Sequence, residues 1–213
     1  ATNSAGAGAV PTAGSVKIDG SNLGSALAGT IAATKLSANT TAGFSIVTYT
    51  GTGSDATVAH GLSEAPDLIW VMRLTDAGYF KIISTTEAGL SFAKYFRTDT
   101  NDPVGTGNYW QDADPSASVF SIEGADNSTN GSSKNFVGYC WHSVEGFSKI
   151  GSYTGNNNAD GTFVYTGMSP SWVLIKATAA TQNWTQFDSA RQTYNLNNKY
   201  FTTNAASAET TGF

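Results

Sequence analysis

The chain has few charges, and most of them are acidic. Charged residues make up 13% of its 213 residues, and the net charge is −5. Soluble domains typically carry about twice that share of charged residues. A surface with so little positive charge offers nothing to hold a phosphate backbone or the anionic face of a bilayer. We therefore expect neither nucleic-acid binding nor membrane association.

Cysteine and long apolar runs are scarce as well. Cys140 is the single cysteine, which excludes an internal disulfide. The longest apolar run, residues 68–72, is far shorter than the roughly 20 residues that a membrane-spanning helix needs. The first residues show neither the basic nor the apolar stretch of a secretory signal peptide. Membrane insertion is therefore not expected.

A helical period is missing over any useful length, and a strand pattern takes its place. From Gly43 onward, aromatic and β-branched residues cluster in short runs that Gly, Asn, Asp and Pro separate. The predicted strands are 44–50, 56–60, 68–74, 80–84, 92–96, 119–123, 136–142, 146–153, 162–165, 172–176, 185–188 and 199–203. Many short strands with such turns predict an all-β fold of the β-sandwich or jelly-roll type.

The chain also repeats itself at an offset of roughly a hundred residues, the size of one small domain. The matching segments keep their order: 43–51 with 146–155, 61–71 with 167–175, and 94–98 with 199–203. The repeat predicts two tandem β-sandwich units, at 43–145 and 146–213. Residues 211–213 look like the counterpart of 118–120, and nothing in the second unit matches the predicted strand 136–142.

A sandwich without an inner strand would expose an unpaired edge and part of its core. We therefore expect the second unit to be incomplete by itself. Either the chain is part of a longer one, or another subunit or the first unit supplies the strand.

Residues 1–42 differ from the rest because they contain no aromatic residue and are rich in Ala, Gly, Ser and Thr. Such a segment buries little apolar surface to offset its conformational entropy. Ile18, Leu27 and Leu36 recur within it like anchors. The pattern predicts an extended N-terminal arm that orders against a neighbouring subunit, and a flexible leader is the alternative.

Several segments resemble a unit of phage tail-fibre and other virion structural proteins. They are 44–51, 60–66, 136–155 and 161–176, and the resemblance extends over residues 43–213. It implies concanavalin-like or laminin-G-like sandwiches, and it implies no catalytic or metal-binding residues. Duplicated units of this kind serve architecture or multivalent binding more readily than chemistry.

The residues that best suit a binding site lie in the long polar loop 99–118. Tyr109 and Trp110 could stack on a sugar face while Asn108 and Asp112 bind its hydroxyls. The alternative is that Trp110 folds back and caps the sandwich, since large aromatic side chains are mostly buried. The candidate carbohydrate site is therefore Asn108, Tyr109, Trp110 and Asp112.

The other reactive residue types are expected to be structural. His60 and His142 lie in different predicted strands without a partner at metal-ligand spacing, and Cys140 is expected to be a small buried side chain. The loop carboxylates are expected to initiate turns. We predict no enzymatic activity, no cofactor and no metal; an enzyme reading would require paired carboxylates such as Asp112 and Glu123.

These observations together favour a bacteriophage virion protein, a tail fibre or similar appendage located in the extracellular particle. Its arm would dock on other virion proteins, the chain would assemble as a homo-oligomer, preferably a trimer, and its loops would contact a host-surface glycan. One alternative is a capsid decoration or head-fibre protein. Another is a carbohydrate-binding module of a secreted polysaccharide enzyme.

Overall fold

The computed structural model describes residues 14–25, 27–76, 82–87, 90–124, 126–191 and 198–212. Within these ranges the chain forms fifteen strands and no α-helix, so the predicted all-β class is confirmed. Over the same residues, no helix is long and apolar enough to cross a membrane.

The strands lie close to the predicted positions in most of the chain. They are β1 (Val16–Ile18), β2 (Ser21–Asn22), β3 (Ala33–Asn39), β4 (Phe44–Thr50), β5 (Ala56–Ala59), β6 (Leu68–Arg73), β7 (Ile82–Thr85), β8 (Lys94–Arg97), β9 (Gly105–Thr106), β10 (Val119–Ile122), β11 (Asn135–Trp141), β12 (Trp172–Ile175), β13 (Thr185–Asp188), β14 (Lys199–Thr202) and β15 (Thr210–Thr211). Each predicted strand has a counterpart except 146–153 and 162–165, which form no strand.

The largest sheet has nine strands in the order β2-β1-β3-β4-β11-β6-β7-β8-β9. Its central strand, β11, pairs antiparallel with β4 on one side and with β6 on the other. Since side chains alternate along a strand, Phe136, Gly138 and Cys140 share the inner face of the sheet. Phe136 and Cys140 are fully buried there.

A small sheet of β5 and β10 covers this inner face and completes a two-layer core. Gly138 lies beneath Phe120 of β10: a Cβ at this position would lie 3.4 Å from Phe120 Cζ, an ordinary contact, and 3.3 Å from Val47 Cγ1 of the neighbouring strand β4. Residues buried in this core include Val47, Val58, Ile69, Phe120, Ile122 and Phe136. The arrangement agrees with a sandwich of two packed sheets.

The N-terminal arm predicted over residues 1–42 is not confirmed. Residues 1–13 lie outside the described residues, and the following segment belongs to the large sheet, where β1 pairs parallel with β3 and β3 pairs with β4. Val16 and Leu36 are buried in the common core, and Gly29 and Ile31 bridge Val58 of the small sheet. Small and aliphatic side chains suffice here because the neighbouring strands already supply the aromatic ones.

The second half contains one sheet, in the order β12-β13-β14-β15. It repeats the meander β6-β7-β8-β9 with matching register. Leu68 lies opposite Thr85 in the first meander, and Trp172 lies opposite Asp188 in the second. In the same way, Lys94 lies opposite Thr106, and Lys199 lies opposite Thr211. Thr211 therefore corresponds to Thr106, so the predicted correspondence of 211–213 with 118–120 is wrong.

The second sandwich unit predicted for 146–213, which was expected to be incomplete by itself, is likewise not confirmed as a sandwich. Residues 149–171 form no strand and are almost entirely exposed. The sheet of the second half instead packs on the first through a small cluster of Ile83, Phe96 and Trp184. Trp184 Nε1 donates a hydrogen bond to the Arg97 carbonyl at 2.9 Å, which fixes the contact between the halves.

Candidate functional site

Trp110, the central residue of the predicted carbohydrate site, is fully buried. Its Nε1 donates a hydrogen bond to Ser84 Oγ at 2.7 Å. Its ring packs edge-on against Phe92 and Phe120, with centroids 5.3 Å and 6.1 Å apart. Trp110 thus caps the core, as the alternative interpretation held, and it has no free face for a sugar ring.

The remaining three residues of that site lie together at the surface end of the loop. Asn108 Nδ2 donates to Glu123 Oε2 at 2.8 Å, and the Asp112 amide donates to Asn108 Oδ1 at 2.9 Å. Tyr109 is half-buried against Tyr95, with ring centroids 4.6 Å apart. Burial raises the pKa of Tyr109 far above its ordinary value. The loop therefore presents a polar rim without an exposed aromatic platform.

The histidine and cysteine side chains are placed as structural groups. His60 is fully buried; its Nε2 donates to the Ser116 carbonyl at 3.0 Å, and its Nδ1 accepts from the Leu62 amide at 3.2 Å. Burial lowers the pKa of His60 to about 4, so the ring is neutral near pH 7. Burial also raises the pKa of the Cys140 thiol to about 12, which leaves almost no thiolate for nucleophilic attack.

Several acidic side chains described by the structure serve turns and ion pairs. Asp114 accepts the Phe92 amide at 3.0 Å, and Asp126 accepts the amides of Ser128 and Thr129. Asp99 lies 3.5 Å from the Arg97 guanidinium. Among the described residues, no group of three or more His, Cys, Asp or Glu side chains could hold a metal ion.

The outer face of the large sheet carries a row of aromatic side chains that the sequence analysis did not single out as a site. Phe44, Tyr139 and Trp141 are half-buried there, beside the exposed Ile46. Phe44 lies 5.1 Å from Trp141 between ring centroids, and Tyr139 lies 6.0 Å from Trp141. We call Phe44, Tyr139 and Trp141 the outer-face row. The apolar residues on both faces of β11 were the available signal in the sequence.

The most unusual surface lies in the second half of the chain. Within the described ranges, every exposed large apolar side chain except Ile46 and Leu74 falls between residues 147 and 173. These side chains, called here the apolar band, are Phe147, Tyr153, Phe163, Val164, Tyr165, Trp172 and Val173. Phe163 to Met168, with Pro170, also line an open hollow of about 300 Å³.

Repeat counterparts of the apolar band are buried in the first half. Tyr153 is 52% exposed, whereas Tyr49 is 1% exposed; Val173 is 36% exposed, whereas Ile69 is fully buried. Similar sequences therefore meet different surroundings. In the first half, β11 pairs with the edge of β6 and the small sheet covers the inner face. No described strand takes either place in the second half.

A protein-family model matches residues 15–213, which is nearly the whole chain. The chain belongs to the family described as Domain of unknown function (DUF7483). No curated protein and no solved structure matches it significantly.

The matched range places all fifteen described strands in the DUF7483 domain. It begins at Ser15, directly before β1. The N-terminal strands therefore belong to the same family domain as the rest of the sheet. The apolar band lies within the match as well, so it is part of the domain.

Proposed function

We propose that this chain is a structural protein of a bacteriophage virion, a tail fibre or similar appendage, that works by assembly and not by catalysis. The observation that carries the proposal is the apolar band. Contiguous exposed apolar surface is uncommon on monomeric soluble proteins and marks a surface that another molecule covers. The resemblance of residues 43–213 to virion structural units supports the same assignment.

The placement of the reactive side chains supports a binding role. His60 and Cys140 are buried, and the acidic residues described above are engaged in turns and ion pairs. An active site needs a nucleophile or a paired acid and base in a cleft. The described residues that carry such chemistry are instead used to hold loops and strands together.

The proposal includes assembly as a homo-oligomer, preferably a trimer, which the exposed apolar side chains of Phe163, Val164 and Tyr165 support. A neutral, polar exterior with few charges leaves apolar contacts as the main source of association energy. Capsid decoration is the alternative location. Copy number distinguishes the two, because a capsid protein is present in hundreds of copies and an appendage in a handful.

Cryo-microscopy of purified particles, with quantitative mass spectrometry, tests the proposal. We expect the chain in the particle at low copy number, with residues 147–173 in contact with a neighbouring subunit. Hundreds of copies would move the protein to the capsid. A free monomer that is absent from particles would overturn the virion assignment and favour the carbohydrate-binding module.

The outer-face row favours glycan contact as a second candidate function. Aromatic faces stack on sugar rings, and Tyr139 and Trp141 stand side by side on a sheet whose rings are only partly covered. A glycan array with the wild-type chain and Trp141→Ala tests it, with Leu74→Ala as the exposed control. Binding that Trp141→Ala abolishes and Leu74→Ala retains supports the row; equal binding by both variants excludes it.

A further inference from the structure

The outer edge of β12 is an open sheet edge. β12 pairs with β13 on one side, and no described residue pairs with it on the other. Its side chains Trp172 and Val173 are 55% and 36% exposed. An apolar strand edge with free backbone N–H and C=O groups is a template for a further strand.

The first half shows what fills the equivalent edge. β6, the counterpart of β12, pairs with β7 on one side and with β11 on the other. The second meander keeps the register of the first across all three of its strand pairs. The edge of β12 therefore has the backbone geometry that receives β11 in the first half.

We propose that β12 accepts one antiparallel β-strand with the residue pattern of Asn135–Trp141, supplied by a polypeptide segment outside these 213 residues. By the repeat correspondence, the incoming residue opposite Val173 takes the place of Cys140, and the residue opposite Ile175 takes the place of Gly138. Alternate side chains of the incoming strand extend the inner face of the second sheet beside Val173 and Ile175.

The same strand accounts for a further part of the apolar band, the segment 147–153. In the first half, the far side of β11 pairs with β4, which buries Tyr49. Residues 147–153 are the counterpart of β4, and no strand in the described part of the chain pairs with them as β11 pairs with β4. Once a strand lies beside β12, its far edge is available for residues 147–153 to pair with. Tyr153 then gains the partner that Phe136 provides to Tyr49.

A second copy of this chain is a less suitable source of the strand beside β12. The β11 of each copy is held between β4 and β6 in its own sheet, so donating it would open the donor's core. Pairing between two β12 edges would leave residues 147–153 without a strand beside them. A strand inserted between β12 and residues 147–153 would pair with both.

Hydrogen–deuterium exchange of the full chain with a synthetic peptide of residues 134–143 tests the proposal. We expect slower exchange at residues 172–175 and 147–153 when the peptide is added. The Tyr139→Pro peptide is the matched control, because proline cannot donate to a central strand ladder. It should bind at least about tenfold more weakly, which corresponds to roughly 1.4 kcal/mol.

Two variants of the chain distinguish strand pairing at the edge of β12 from non-specific apolar binding of the peptide. Val173→Lys places a charge on the acceptor edge and should abolish the protection, whereas Leu74→Lys, at an exposed position outside the band, should retain it. A chain that carries residues 134–143 on a flexible linker after Phe213 should show the same protection and a higher melting temperature. No protection in either format would overturn the proposal.

Sedimentation of the chain alone, combined with its exchange pattern, tests whether a second copy occupies the edge of β12. A dimer with residues 172–175 already protected, which the peptide does not displace, would show that a second copy occupies the edge and would overturn the proposal. The virion assignment is measured separately. Peptide binding can fail while the chain is found in particles, and the chain can be absent from particles while the peptide binds.

Discussion

Tyr49 of β4 and Phe136 of β11 are cross-strand neighbours in the large sheet, and their rings stack with centroids 5.2 Å apart and an angle of 15° between the ring planes. The Tyr49 hydroxyl also donates a hydrogen bond to the Thr129 carbonyl at 2.7 Å. Tyr153 occupies the same place in the repeat and is half-exposed. The difference between the halves is therefore visible at a single pair of tyrosines.

Removing one hydroxyl at each tyrosine tests this difference. Tyr49→Phe leaves the buried Thr129 carbonyl without its donor, and we expect a loss of about 1–2 kcal/mol in the free energy of unfolding. Tyr153→Phe should change it by less than about 0.5 kcal/mol, as expected for an exposed site. Urea unfolding of both variants measures this. An equal loss at both positions would mean that the second half is closed in solution.

Trp110→Ala should destabilise the chain strongly. The indole is fully buried between Phe92 and Phe120, and its deletion leaves a large cavity. Large aromatic truncations in cores cost about 3–5 kcal/mol. Trp172→Ala, at an exposed tryptophan, is the control and should cost little. A mild effect of Trp110→Ala with loss of sugar binding would restore the loop as the carbohydrate site.

The free energy of unfolding should decrease as the pH is lowered, because of His60. Its pKa is lowered by burial to about 4 in the folded chain, while an unfolded histidine has a pKa near 6.5. The unfolded state therefore binds more protons below pH 6.5. The contribution of this group is fully present above pH 6.5 and is lost as the pH falls towards 4.

The expected loss from His60 is about 3 kcal/mol over that range, from a shift of roughly 2.5 pH units. Chemical unfolding of the wild type and His60→Gln at a series of pH values measures it. The variant should be less stable at neutral pH and should lack this part of the pH dependence. Parallel profiles for the two proteins would show that His60 is not held neutral by the fold.

Cys140 should be inert in the folded chain. Its thiol is fully buried, and its pKa is raised to about 12 by that burial. Since the thiolate is the reactive form, a thiol reagent at pH 8 should label the native chain only at the rate of unfolding. In urea, labelling should be rapid. Fast labelling of the native protein would place the thiol at the surface and contradict the buried position on β11.

Local patterns predicted much of the fold. Short runs of aromatic and β-branched residues marked strands such as β4, β6 and β11, because these side chains suit a pleated, half-buried surface. Cys140 was expected to be a small buried side chain and His60 a structural one, and the structure has both side chains buried. The repeat was visible as well, and the matched registers of the two meanders now give it a structural form.

Partners that lie far apart along the chain were not predictable in this way. The segment containing β1 and β3 looked like an arm because it lacks aromatic residues, yet it pairs with β4 and packs on Val58. Residues 146–153 looked like a strand because they repeat β4, yet they form none. Trp110 was a candidate for capping the core and for binding a sugar, and only its tertiary contact with Ser84, which accepts the indole N–H, decides for the core.

The amino-acid order alone determined that this protein is built from strands and that one meander occurs twice, because both properties reside in the spacing of side chains along the chain. Tertiary structure decided which meander is closed. A central strand needs a partner on each edge and a second layer over its apolar face. β6 pairs with β7 and β11 and is covered by the small sheet, whereas β12 pairs only with β13 and has no described layer over its inner face.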